Sequence, residues 1–168
     1  MTKTERLILA NQFKILAHLE PENESSYREN IEILEKGFSI FFDNLTMTMY
    51  DELSKEEGEL VLDTLDLYRA TFYFKKNGGD LHELKNTEFM GFDGNYETEY
   101  LSFVEFLICT QGKYQELLND CPSKDFNSHT PMIPRYTKYV NRWKKELGKK
   151  WPESTQDFEK IFDKVDEK

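Results

Sequence analysis

The sequence predicts an all-α fold, about two-thirds helical, with about six main helices and two irregular connecting stretches in one domain spanning residues 1–168. Three observations carry this expectation. Apolar residues recur close to every 3.6 positions along most of the chain, and no stretch alternates apolar with polar for long enough to make a strand. The Ser/Thr-x-x-Glu spacing of a capping box occurs at Thr2 and Glu5, at Ser26 and Glu29, and at Ser54 and Glu57, each ahead of an apolar-periodic run. Hydrophobic residues make up 38% of the 168 residues, with 13 Phe and 9 Tyr, which can fill a core without a disulfide or metal and argues against disorder.

In chain order, the first helix follows Thr2 and runs to about Glu20, where Pro21 stops it; Leu9, Phe13 and Leu16, with Ile8, Ile15 and Leu19 beside them, form its core face. A second helix opens at Ser26 and carries Ile31, Leu34, Phe38, Phe41 and Leu45 at steps of 3, 4, 3 and 4, weakened locally by Gly37. The third runs from Ser54 to about Lys76 and ends at Asn77-Gly78-Gly79, where a left-handed cap costs little. Residues 77–94 read as a loop with one helical turn. A long fourth helix from Asn95 is marked by Tyr96, Tyr100, Phe103 and Leu107, with Gly112 near its end. Residues 121–134 form the second irregular stretch. The fifth helix starts either at Thr130 or nearer Ile133, because Pro134 lacks an amide hydrogen. The last opens at Ser154 with Phe158, Ile161, Phe162 and Val165 on one side.

Composition excludes several functions. With 22 Lys+Arg against 32 Asp+Glu the formal charge is −10, which argues against a general nucleic-acid binder. No run is long and apolar enough to span a membrane, and Met1 to Ala10 lacks the features of a signal peptide, so the expected location is cytoplasmic, with no membrane partner. Cys109 and Cys121 stand twelve apart with no histidine at metal-ligand spacing, so neither a metal site nor a cofactor is expected. Asn23-Glu-Ser25 and Asn44-Leu-Thr46 fit a glycosylation pattern that carries no weight without export.

Several stretches together resemble the YfbU family of bacterial proteins over essentially the whole length. They are Glu5 to Leu16 (ERLILANQFKIL), Gly91-Phe92-Asp93 leading into Glu97-Thr98-Glu99-Tyr100-Leu101, and Phe126-Asn127 with Thr130-Pro131-Met132. The resemblance implies a multihelical cytoplasmic protein that self-associates. It implies no reaction, cofactor or catalytic residue. The chain departs from the family pattern at Ser128-His129, where the family positions are Ala and Gln, and in a more charged tail from Lys144 onward.

No catalytic constellation emerges from the residues. His18 shares a helical face with Asn11 and Lys14 and reads as solvated. His82, between Asp80 and Glu83, lacks a second histidine and reads as loop polarity. Ser128-His129-Thr130 has the residue types of a nucleophile and base, but turn and capping chemistry accounts for it more simply. Gly78-Gly79 lacks the lysine and hydroxyl of a phosphate loop. An enzyme or small-molecule binder would build its pocket from residues 91–95 and 126–131, with Asp93, Asn127 and His129 as the candidate ligand loop; Asp93 also suits a helix cap.

Charge patterning supplies the candidate interaction residues. Glu52, Glu56, Glu59, Asp63 and Asp66 form an acidic stripe on the third helix, roughly opposite Val61, Leu65, Tyr68 and Phe72. Arg135, Lys138, Arg142, Lys145 and Lys149 form a basic stripe on the fifth, roughly opposite Tyr136, Val140, Trp143 and Leu147. Like charges at this spacing do not help their own helix. Three readings stand: solvated faces, a basic row of one subunit meeting the acidic row of another, or a basic helix over 135–150 binding nucleic acid with Trp143 and Trp151 stacking on bases. The third is disfavoured, because that segment's net +6 sits against −16 on the rest of the chain. The expected function is thus that of a homo-oligomeric, non-enzymatic protein of interaction or regulatory type. The apolar C-terminal half of the third helix, with Leu62, Leu67, Ala70, Tyr73 and Phe74, is a further contact candidate, open to a protein partner.

Overall fold

Local capping chemistry starts three of the helices where the sequence signals it, after Thr2, Ser54 and Ser154. In the computed structural model, which describes residues 1–47, 49 and 51–165, the Thr2 hydroxyl accepts from the Glu5 amide and the Glu5 carboxylate accepts from the Thr2 amide, opening α1 (Lys3–Leu19). Ser54 and Glu57 repeat the arrangement ahead of α3 (Lys55–Lys76). Helix accounts for 63% of the structure. The chain divides into two compact units, residues 1–51 and 52–168.

The N-terminal unit is a helical hairpin of α1 and α2 (Glu24–Lys36), joined by a 3₁₀ turn at Pro21–Asn23. Arg6 donates to the Leu34 carbonyl at 3.1 Å, Lys14 pairs with Glu35 at 2.6 Å, and the Phe13 and Tyr27 rings lie 5.9 Å apart. Helix α2 differs from the expectation at both ends. Ser26 lies inside it, and it stops at Lys36 because Gly37 adopts a left-handed conformation (φ 74°), with the Gly37 and Phe38 amides both donating to the Ile33 carbonyl. Phe38, Phe41 and Leu45 therefore do not continue a helix; short 3₁₀ turns over Ser39–Phe41 and Asp43–Thr46 carry that stretch.

The second unit is built on α3, whose middle is buried nearly all round: Val61, Leu65, Leu67, Tyr68 and Ala70 are all in the core. It continues through α4 (Thr98–Glu105), which loosens into a π-helical segment at Phe106–Thr110, then α5 (Gln115–Asp120), α6 (Ile133–Leu147) and α7 (Thr155–Ile161). Helix α4 starts three residues later than expected and leaves Tyr96 outside it and exposed, while α5 is an addition. Helix α6 starts at Ile133 with Pro134 in its first turn, the later of the two expected starts. Within residues 77–94, β1 (Leu84–Lys85) pairs antiparallel with β2 (Asp163–Lys164), too short a ladder to leave an alternating pattern. That pairing turns the chain after α7, so Phe158, Ile161 and Phe162 are buried while Val165 is exposed. Aromatic rings fill the core: Tyr136 lies 5.5 Å from Tyr68 and 5.2 Å from Phe92, and Phe162 lies 4.8 Å from Tyr139.

Candidate functional site

Two glycine-containing loops cross in the second unit. Gly91 has φ 82°, and a Cβ there would stand 1.7 Å from the Phe126 carbonyl oxygen, so only glycine lets the two backbones approach. The approach creates a parallel bridge between Phe92 and Asn127: the Phe92 amide donates to Phe126 (2.9 Å) and the Ser128 amide to Phe92 (3.0 Å). The Asn127 side-chain oxygen accepts from the Gly94 and His129 amides at 3.1 and 3.0 Å, and Asp93 accepts from the Asn95 amide at 2.7 Å. The candidate ligand-loop residues therefore do gather at one crossing. Their polar atoms largely serve its backbone, and His129 is exposed with φ 54°.

Glu97 locks this crossing, and nothing in the sequence singled out its side chain. It is 2% exposed, and its carboxylate accepts from the Asp93 amide at 3.0 Å and from the Met132 and Ile133 amides at 2.7 Å each. The last two are free amides at the start of α6, so Glu97 caps a helix 35 residues away, where negative charge is favoured. The Tyr136 hydroxyl completes the arrangement by donating to the Gly91 carbonyl (3.0 Å) and accepting from the Met90 amide (3.1 Å); burial pushes that phenol far above its ordinary range.

The two charge rows touch at one pair, Asp63 with Lys149, while Lys138 and Arg142 of the basic row meet Asp163, which lies outside the acidic row. Asp63 is 4% exposed, takes Lys149 on one oxygen and lies 2.8 Å from Lys144 on the other. Asp163 accepts from Lys138 at 2.7 and 2.8 Å, from Arg142 at 2.9 Å and from the Tyr139 hydroxyl at 3.0 Å. Lys138 foremost, then Arg142 and Tyr139, hold the Asp163 carboxyl at about 2, against the smaller opposing effect of burial. Of the other stripe residues, Arg135 contacts the Met132 sulfur, Lys145 lies 3.6 Å from Glu146, Asp66 accepts from the Tyr114 hydroxyl at 2.9 Å, Glu59 lies 3.6 Å from Lys55, and Glu56 is exposed in the first turn of α3. Asp163 is the second residue that sequence reasoning missed.

The histidines match their expected settings: His18 is exposed, and His82 is exposed with Nδ1 2.7 Å from Asp80, which raises its pKa. No cluster of three or more potential metal-ligating side chains occurs among the described residues. Cys109 and Cys121 are both free thiols.

The N-terminal unit carries the largest departure from the expected core. Among its described residues only Ala10 and Leu34 are buried, while ten large apolar side chains are exposed. Leu9, Phe13 and Leu16 are partly buried, but Ile8, Ile15 and Leu19, on the adjacent strip of α1, are 53%, 60% and 72% exposed. With Gln12 they form a row at steps of 4, 3 and 4, the spacing of a coiled-coil seam. Lys14 and His18 flank its C-terminal half. Beyond α2, Ile33, Phe38 and Phe41 line an apolar groove of ≈ 380 Å³ rimmed by Glu29 and Glu32.

The family model described as the YfbU domain matches residues 1–164. A UPF0304 protein of Methanocaldococcus jannaschii is 46% identical over 157 residues, covering 90% of this chain and 92% of its own length. UPF0304 proteins of Mannheimia succiniciproducens and Actinobacillus succinogenes are 36% and 38% identical over 146 residues, each covering 86% of this chain and 87% of its own length. No helix among the described residues is long and apolar enough to cross a membrane.

Proposed function

The chain belongs to the YfbU family, and from that premise we propose that it acts by binding and not by catalysis, through association of one copy with another across the N-terminal unit. The second apolar row of α1 carries this reading. A helix packed on α2 through one strip has no use in water for Ile8, Ile15 and Leu19 on the strip beside it, and each such side chain is worth about 1.5–3 kcal/mol when buried. At roughly 60–120 Å² apiece, Ile8, Ile15, Leu19, Phe38 and Phe41 supply about 300–600 Å² of the ~800 Å² per partner that a stable interface buries.

A second copy suits both exposed surfaces at once. The apolar Ile15–Leu19 row suits the apolar Phe38–Phe41 groove; beside them Lys14 and Glu32 are already paired within the chain, with Glu35 and Lys36, so the match is one of apolar surface. A two-fold axis would satisfy both contacts reciprocally. Gln12, in a core-type seam position, sets register at some cost in stability. The exposed Glu56, Glu59 and Lys145 bias the orientation of encounter without supplying much affinity. Engagement of Lys138, Arg142 and Lys149 by Asp163 and Asp63 in the same chain supports a role without nucleic acid, because three of the five cations of the basic row are already matched.

Light scattering on the full chain tests the reading. The wild type is expected to have the mass of a dimer or higher multiple at both low and high salt, and the Ile15→Glu/Leu19→Glu variant to be a monomer with unchanged helix content. A monomeric wild type would overturn the proposal, as would a double variant that assembles normally.

A further inference from the structure

A different cleft lies wholly in the second unit, between the C-terminus of α3 and the segment that follows α6. One wall is Tyr73 and Phe74. The Phe74 ring packs 4.9 Å from Phe158 and lies over Gly79 so closely that a Cβ there would stand 2.2–2.6 Å from three of its ring atoms. Residue 79 must therefore be very small for the cleft to keep its floor. The other wall is Trp151, Pro152 and Glu153. Gly148 and Lys149 both take left-handed conformations, which reverse the chain after α6. The Trp143 indole donates to the Lys150 carbonyl at 2.8 Å, Pro152 is buried, and the Glu153 amide donates to Asp157 at 3.3 Å. The segment is thus pinned on both sides of Trp151.

The open cleft has a volume of ≈ 340 Å³, within the range of small-molecule sites, and Asn77 completes the lining. Tyr73 and Trp151 are 40% and 45% exposed, two of the few large apolar side chains this unit leaves in water. The lining holds three aromatic rings and one carboxylate and no cationic group. Of the neighbouring lysines, Lys75 is engaged with Glu88 and the Thr87 carbonyl, Lys76 lies over the Phe72 ring at 5.7 Å, Lys149 pairs with Asp63, and the exposed Lys150 is not part of the lining.

We propose that the Tyr73–Phe74–Trp151–Glu153 cleft binds a small alkylammonium cation. Aromatic faces carry the negative end of the ring quadrupole and attract a cation that approaches within about 6 Å of the centroid. Glu153 supplies the opposing charge, and a chain of net charge −10 raises the local concentration of cations. An anion would meet Glu153 unfavourably, and a neutral apolar ligand would desolvate that carboxylate without compensation.

Choline and 3,3-dimethylbutanol, which share a shape and differ in charge, separate this site from a merely apolar cleft. Binding is followed on the full chain by tryptophan fluorescence at constant ionic strength, Trp143 being 3% exposed and Trp151 the open reporter. Choline is expected to give a saturable change and to bind about tenfold tighter than the alcohol. Tyr73→Ala and Glu153→Gln, which keep Trp151, should each weaken choline several-fold without altering helix content. Equal affinity for the alcohol would overturn the proposal, as would a choline response no larger than that of sodium chloride, or two variants that bind choline like wild type.

Discussion

Lys149, in the left-handed turn that ends α6, donates to Asp63, a buried carboxylate in the middle of α3 and 86 residues earlier in the chain. Lys144, on the last turn of α6, takes the other oxygen at 2.8 Å. With two lysines on one carboxylate, either can partly stand in for the other. Lys144→Met or Lys149→Met alone is expected to cost about 1 kcal/mol or less, because both lysine side chains are more than two-fifths exposed and solvent screens them. The double variant, which leaves the buried charge unmatched, should cost about 2–3 kcal/mol. Urea denaturation of the three variants checks this; simple additivity would refute the shared-carboxylate account.

Asp163 predicts a pH dependence. Its carboxyl sits at about 2, below the ordinary carboxylate range, because of Lys138 first, with Arg142 and Tyr139. A carboxyl depressed by folding adds stability that is fully present above its unfolded pKa of about 4 and is lost as pH falls through the folded value. Between about pH 4 and pH 2 the wild type should therefore lose stability more steeply than Asp163→Asn, which has no proton to take up there. The difference is modest because the side chain is 35% exposed. Parallel acid titrations of the unfolding midpoint would show it, and identical slopes would remove Asp163 from the account.

Glu97 serves three amides. Glu97→Ala orphans the Met132 and Ile133 amides at the start of α6 and the Asp93 amide at the loop crossing. The expected loss is about 3 kcal/mol or more, while Glu97→Gln, which keeps acceptors but drops the charge at a helix N-terminus, should lose roughly 1–3 kcal/mol. Chemical denaturation ranks the two, and a neutral Glu97→Ala would show that the crossing closes without this cap.

Two glycines with positive φ should respond differently to alanine. Gly91→Ala drives a Cβ into the Phe126 carbonyl, backbone against backbone, whereas Gly112 (φ 67°) has nothing within 4 Å of that position. Gly112→Ala is expected to cost about 1 kcal/mol of backbone strain. Gly91→Ala should cost several times that, or prevent folding, since the Phe92–Asn127 bridge cannot form. Thermal unfolding compares them, and equal midpoints would mean that the crossing relaxes.

The legible parts of this fold are those written within four residues. Thr2 with Glu5, Ser54 with Glu57, and Ser154 ahead of α7 announce helix starts because a cap and its amides are sequence neighbours. Gly37 shows the limit of the same reasoning. The apolar period runs straight through it, but a left-handed glycine with two amides on the Ile33 carbonyl competes successfully with continued helix. Asp93 and Asn127 were legible as loop residues that could converge. Glu97, which holds their crossing closed, was not, because two of its three partners lie 35 and 36 residues away.

By itself, then, the sequence determined the helical class, most helix starts, the buried aromatic faces of α3 and α6, and the membership that residues 5–16, 91–101 and 126–132 announce. Tertiary structure decided which of the two apolar faces of α1 is covered, where the lysines of α6 find their carboxylates, and why Gly91 must be glycine. The reason is physical: periodicity and caps act through neighbours along the chain, whereas burial, ion pairing and backbone approach depend on whatever segment arrives across space.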